Sequence, residues 1–186
     1  VALNELTLAC GPVVSLTVSG PERIALIGRN GVGKTTLLRA IADAGPQVPW
    51  RFLPQRLDIF HGDKSVADNV AMEAPHATLE QVRAQLARFL FRGTDSDVAA
   101  SGLSGGEQLR AALAMILLAQ PAPKLLMLDE PTNNLDLPSL AHLTQALASY
   151  RGALLVAGHD LPFLRQIGIT RWLELTDDGL VEVDPR

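Results

Sequence analysis

At 186 residues the chain is long enough for one domain with a buried core and room for a sub-lobe, and its 47% hydrophobic and 19% charged residues exclude a disordered tail or a charged coiled coil. Aromatics are 4%, so the core is expected from Leu, Ala, Val and Ile, and a net charge of −4 gives no compositional support for nucleic-acid binding. The single Cys10 excludes an internal disulfide and a cysteine metal cluster, and it fits a reducing compartment.

Alternation at Leu6 and Leu8, then at Val14, Leu16 and Val18, predicts two half-exposed strands joined at Gly11-Pro12. The solid apolar run Ile24–Ile27 predicts a strand buried on both faces. It enters a glycine-rich turn, Gly28 to Gly33, followed by a helix to about Ala42 that Gly45-Pro46 stops. Arg51–Pro54 is a short strand candidate. Ser65 to Phe91 is helical in period, with Thr78 and Gln81 as a capping box and Val82, Leu86 and Leu90 on one face. Gly93 to Gly102 reads as a loop of small polar residues. Gly106 to Ala119 reads as a buried helix; its apolar run, Ala111–Ala119, is shorter than the ~18–20 residues of a membrane span. Lys124–Leu128 and Ala153–Ala157 are further buried strands, with a helix at about Pro138–Tyr150 between them. Trp172–Leu175 and Leu180–Val183 flank Asp178-Gly179 as a hairpin. Strands alternating with helices predict a parallel α/β sheet, to which the hairpins add antiparallel strands. No secretory signal pattern opens the chain, which starts at Val1 as an excised piece of a longer protein would.

Two segments carry chemistry. Gly28-Arg29-Asn30-Gly31-Val32-Gly33-Lys34-Thr35 fits G-x-x-x-x-G-K-[ST], between a buried strand and a helix. Such a loop turns backbone N–H groups toward a phosphate, and the helix aims its positive end there. Lys34 would reach the β/γ-phosphates, Thr35 would offer a hydroxyl to Mg²⁺, and Thr36 would help hold a phosphate. Leu125–Leu128 then delivers Asp129 and Glu130 at a strand's carboxyl end, where ligands bind in open α/β sheets. Asp129 is the candidate for the Mg²⁺ shell and Glu130 for polarising the attacking water.

Leu103-Ser104-Gly105-Gly106-Glu107-Gln108 contains a capping box, Ser104 to Glu107. Its two glycines leave the helix start bare, which makes a second phosphate site. The hexapeptide also resembles the signature motif of the ABC ATPases, and the resemblance covers essentially the whole chain. It implies an α/β P-loop NTPase fold of the ABC type. The expected domain is single, 1–186: a mostly parallel core sheet, an antiparallel β subdomain, and a small helical subdomain inserted at about 62–120. It also implies that the Ser104 turn reaches the γ-phosphate held by another domain's loop. Gln55, after Phe52-Leu53-Pro54, resembles the glutamine that senses Mg²⁺ and the attacking water. Asn133-Asn134-Leu135-Asp136 resembles the segment that crosses the dimer interface, although Asp136 before Pro138 also suits a helix cap. His159, in Gly158-His159-Asp160, resembles the switch histidine. His61, His76 and His142 lie outside these motifs and read as surface residues.

Within that family the asparagines of Pro131–Asp136, the Phe52–Gln55 segment, the short helical lobe and Arg88–Gly93 resemble the ABC-F group. That resemblance implies ATP and Mg²⁺ as ligands and a cytoplasmic protein without membrane insertion. It also implies a second ABC domain arranged head to tail, in the same chain or as a homodimer. The ribosome or tRNA is the implied target, in translation or antibiotic resistance. Thr170–Leu175 looks more like the second domain of such a pair. Two other readings stay open: the ATPase subunit of a membrane transporter, and a nucleotide-gated binding module with little turnover. One departure stands out. Cys10 occupies about the place of the aromatic that stacks on adenine, and one such stack is worth ~1–3 kcal/mol. Base selectivity is therefore expected to be loose, with GTP competing, unless another residue stacks.

Overall fold

The computed structural model describes residues 2–7, 13–133 and 135–184. They divide into two compact units. The first comprises Val1–Gln55, Lys124–Thr132 and Tyr150–Arg186; the second comprises Arg56–Pro123 and Asn133–Ser149.

In the first unit, strands β1 (Ala2–Thr7) and β2 (Val13–Thr17) pair antiparallel. Leu8, Cys10 and the Gly11-Pro12 junction lie outside the described residues. A six-stranded sheet follows: β3 (Arg23–Ile27), β4 (Trp50–Leu53), β5 (Leu125–Asp129), β6 (Ala153–Ala157), β7 (Arg171–Thr176) and β8 (Gly179–Val183), in the order β4-β5-β6-β3-β7-β8. The first five in that order run parallel, and β8 pairs antiparallel with β7. The C-terminal hairpin is therefore partly in the parallel sheet, since β7 lies beside β3.

Every residue of β5 and β6 is buried, as continuous apolar runs demand of strands covered on both faces. Ile24 and Leu26 pack with Met127 and Leu155, and with Leu37, Leu38 and Ile41 of helix α1 (Lys34–Asp43). Each such side chain contributes ~1.5–3 kcal/mol by leaving water. The short helix α2 (Leu161–Gln166) is capped by Asp160, whose carboxylate accepts from the Phe163 N–H. The Arg23 guanidinium donates to the carbonyls of Ile167 and Tyr150, tying the start of β3 to two loops.

The second unit is helical: α3 (Val66–Glu73), α4 (Leu79–Arg88), α5 (Gly105–Leu118) and α6 (Leu137–Ser149). The helical period expected from Ser65 to Phe91 breaks between Ala74 and Thr78, because Thr78 with Gln81 starts a new helix through a complete capping box. Leu90 does not continue the Val82–Leu86 face. The helix ends at Arg88, and Leu90 turns outward at φ 69°, 40% exposed, while Phe89 and Phe91 are buried. Gly93–Gly102 is not plain loop: it holds 3₁₀ turns at Gly93–Asp97 and Ala100–Gly102. Buried Asn69 organises the unit's entry loop, accepting from the His61 N–H and donating to the carbonyls of His61 and Ser65. His61 and His76 are exposed, and His142 is half-buried with Nδ1 against the Pro138 carbonyl. Among the described residues no helix is long and apolar enough to cross a membrane.

Candidate functional site

The first site lies on one edge of the parallel sheet. In register, Leu26 of β3 and Asp129 of β5 both pair with Ala157 of β6. The loop from Gly28, the acid Glu130 and the segment Gly158-His159 therefore leave the carboxyl ends of three adjacent strands. Leu53 pairs with Leu128, so Gln55 leaves β4 on the same edge, exposed.

Gly28 adopts φ 144°, and a Cβ there would stand 2.6 Å from the Leu175 carbonyl oxygen, so β7 fits against the loop only with glycine. Arg29, Asn30, Gly31 and Thr36 are exposed, Val32 packs on the core, and Arg29 is ion-paired with Asp177. Gly33, in a left-handed conformation, precedes α1 and supplies no side-chain cap. The first-turn N–H groups of α1 thus have no capping side chain, the arrangement that accepts a phosphate.

Lys34 is folded across its own loop rather than reaching into solvent. Its side chain is 7% exposed, and Nζ donates to the Gly28 carbonyl at 2.8 Å and the Arg29 carbonyl at 3.4 Å. Nζ also lies 3.5 Å from Glu130 Oε1, and His159 Nδ1 lies 2.9 Å from Glu130 Oε2. Glu130 itself has φ 47°, with its N–H donating to the Ala157 carbonyl. A non-glycine residue held there costs of order 1–3 kcal/mol and aims the carboxylate between Lys34 and His159.

Asp129 is buried beside it. Burial raises its carboxyl above the ordinary range, the Glu130 charge adds to this, and a side-chain hydrogen bond with Thr35 opposes it. Its Oδ1 is buried without a hydrogen-bond partner. An unpartnered buried carboxylate oxygen beside a threonine hydroxyl suits Mg²⁺, which takes one or two protein oxygens and completes its shell with water and phosphate. Among the described residues no group of three or more His, Cys, Asp or Glu could hold a metal alone.

The second group lies in the helical unit. Ser104 caps α5: its N–H and hydroxyl both donate to Glu107 Oε2, at 2.8 and 2.6 Å, and its Oγ accepts from the Glu107 N–H. These bonds hold the Glu107 carboxyl below its ordinary range, with a smaller contribution from Arg110. Ser104 and Gly105 are exposed. Gly105 has open space where a Cβ would be, whereas a Cβ on Gly106 would stand 2.7 Å from Ser139 Oγ. Asp136 caps α6, accepting from the Ser139 N–H at 2.9 Å, and its carboxyl is lowered mainly by its bonds to Ser139. Asn134 lies outside the described residues.

Sequence reasoning missed Arg110 and Ser139, which pack behind these two caps. Arg110 Nη1 donates to Ser139 Oγ at 3.1 Å. The signals were present: Ser139 stands three residues after a capping Asp, and Arg110 three after Glu107.

The family profile described as "ABC transporter" matches residues 13–133. The chain is 38% identical, over 82% of its length, to "Probable ATP-binding protein YheS" of Haemophilus influenzae. It is 34% identical, over 90% of its length, to "ABC transporter F family member 2" of Arabidopsis thaliana. It spans 25% and 26% of those two relatives, about a quarter of each. Among solved structures, the ATP-binding cassette MJ0796, a dimer in a post-hydrolysis state bound to ADP and Pi, matches 99% of this chain and 94% of its own. The TM-score is 0.79 at 19% identity, so that match speaks to the fold alone. The mostly parallel sheet and its loop are thus those of an α/β P-loop NTPase of the ABC type. With the family profile covering more than half of its residues, this chain belongs to the ABC transporter family, as an ATP-binding domain.

Proposed function

We propose that this domain hydrolyses ATP at a site completed by a second ABC domain, and works as an ATP-driven clamp of the ABC-F type. The observation that carries the reading is the Glu130 carboxylate, side chain 10% exposed, held between Lys34 and His159 at the sheet edge. A carboxylate so placed can take a proton from water attacking in line on a γ-phosphate. The loop from Gly28 to Gly33, with Lys34, Thr35 and Thr36, binds the triphosphate through backbone N–H groups and the ammonium. His159 orients the Glu130 carboxylate, and Gln55 orients the water. Thr35, Asp129 and Gln55 would hold Mg²⁺, which when bound neutralises charge on the phosphate oxygens.

In this reading Ser104, Gly105, Gly106 and Glu107 present a capped helix start to the triphosphate on the partner's loop, and Asp136 lies in the segment facing that partner. Solvent exposure of Ser104, Gly105 and Asp136 leaves that surface open to a partner. The dimeric state of MJ0796 supports a paired arrangement. Two bound ATPs hold head-to-tail domains together, and hydrolysis releases them. The target proposed for the clamp is the ribosome, in the cytoplasm, as the resemblance of Pro131–Asp136 and Phe52–Gln55 to the ABC-F group implies. The full protein would carry the second domain, as relatives about four times longer suggest.

Glu130→Gln tests this. Steady-state ATPase activity should fall by ~10²–10⁴-fold with nucleotide binding retained, as loss of a general base requires. Light scattering should then show an ATP-dependent dimer, which Lys34→Ala abolishes. A Glu130→Gln chain that stays monomeric in saturating Mg-ATP would refute the composite site. A single-turnover experiment without phosphate release from the wild-type dimer would favour a gated binding module instead. The "ABC transporter" description of the matched family favours a second reading, a transporter's ATPase subunit. Co-sedimentation of Glu130→Gln with ribosomes supports the first; co-purification with a membrane protein supports the second.

A further inference from the structure

Arg110 lies behind both helix caps of the second unit. Its Nη1 donates to the hydroxyl of Ser139, a residue with no exposed surface. Its guanidinium carbon stands 5.9 Å from the ring centroid of buried Phe91, a cation–π distance. Its Nε is buried with no hydrogen-bond partner. Ser139 in turn donates its N–H to Asp136 and packs against Gly106, where a methyl would not fit. Arg110 also lies close enough to lower the carboxyls of both Glu107 and Asp136.

One cation thus faces two helix starts that come from segments about thirty residues apart in sequence. A half-buried guanidinium whose Nε is buried and unpartnered carries a desolvation cost, and helix packing alone would be served by an apolar side chain. What the guanidinium adds is a fixed spacing. It lies over the Phe91 ring, and its Nη1 reaches Ser139, which bonds Asp136 on one side and meets Gly106 on the other.

From this geometry we infer that Arg110 and Ser139 form a bracket that positions the Ser104 turn against the Asp136 segment, so that both meet a partner's triphosphate together. Arg110 is a positioning residue: it touches neither nucleotide nor water. The inference rests on the composite-site reading above, and it adds that the bracket serves the partner's loop and not the loop of its own chain.

Mixing chains tests it. Arg110→Ala alone should lose on the order of 10–100-fold in kcat, the cost of displaced catalytic geometry. Its circular dichroism and its affinity for ATP should be unchanged. Ser139→Ala should lose activity in the same way, and Arg110→Lys, which keeps a donor but not the planar fork, should recover part of it. Lys34→Ala alone is inactive. An equal mixture of Arg110→Ala with Lys34→Ala should regain turnover, because one pairing joins an intact Lys34 loop to an intact bracket. Ser104→Arg mixed with Lys34→Ala is the control. If the control pair recovers and the Arg110→Ala pair does not, Arg110 acts within its own chain and the inference is wrong. Full activity of Arg110→Ala alone would also overturn it. If the control pair fails as well, the composite-site reading falls, and this inference with it.

Discussion

Glycines 105 and 106 sit side by side at the start of α5, yet their surroundings differ. Gly106 meets the buried Ser139 hydroxyl, which accepts a hydrogen bond from Arg110. Gly106→Ala is expected to cost ~1–3 kcal/mol of unfolding free energy, as overpacking does. Gly105→Ala meets nothing and should leave stability unchanged or raise it by up to ~1 kcal/mol, since alanine loses less backbone entropy in a helix. Denaturant unfolding of the two variants checks both signs. At this scale the sequence is legible in placement: Lys34, Thr35, Asp129, Glu130 and His159, picked out by motif spacing, all fall on one sheet edge. It was read poorly where a side chain serves another side chain. Nothing in Arg110 or Ser139 alone says that they touch, because the contact depends on how α5 and α6 pack. Nor could spacing show that Lys34 folds back onto carbonyls at positions 28 and 29.

Among the elements, solid apolar runs and glycine turns placed the strands, and capping boxes at Thr78 and Ser104 placed two helix starts. The error at Leu90 has a physical source. Its spacing from Val82 and Leu86 suits a helical face, but the Leu90 N–H bonds the Ala87 carbonyl and the Phe91 N–H bonds the Leu86 carbonyl. Those bonds close the helix with a left-handed residue at position 90, which sends Phe89 and Phe91 inward. Leucine is poorly suited to that conformation, at a cost of roughly 1–2 kcal/mol. Leu90→Gly should therefore raise the melting temperature, because the side chain given up is substantially exposed. A lowered melting temperature would mean that its remaining contacts outweigh the strain.

For the molecule as a whole, the composite reading carries a signature in concentration. Turnover per chain should rise with protein concentration toward a plateau, because each active site needs two domains. Fusing two copies through a flexible linker should flatten the dependence by raising the effective concentration. Turnover independent of concentration in the unlinked chain would mean that one copy suffices. The loop at the start of α1 also sets a cost on binding. The lysine that a triphosphate must recruit already holds two carbonyls and a carboxylate, and a newcomer gains only the excess of its own attraction over theirs. In the proposed reading, the same exchange that admits the phosphate frees the Glu130 carboxylate from its cation. Occupancy and readiness for water are, in that composite reading, one event, and an idle domain keeps the Glu130 carboxylate held by a cation.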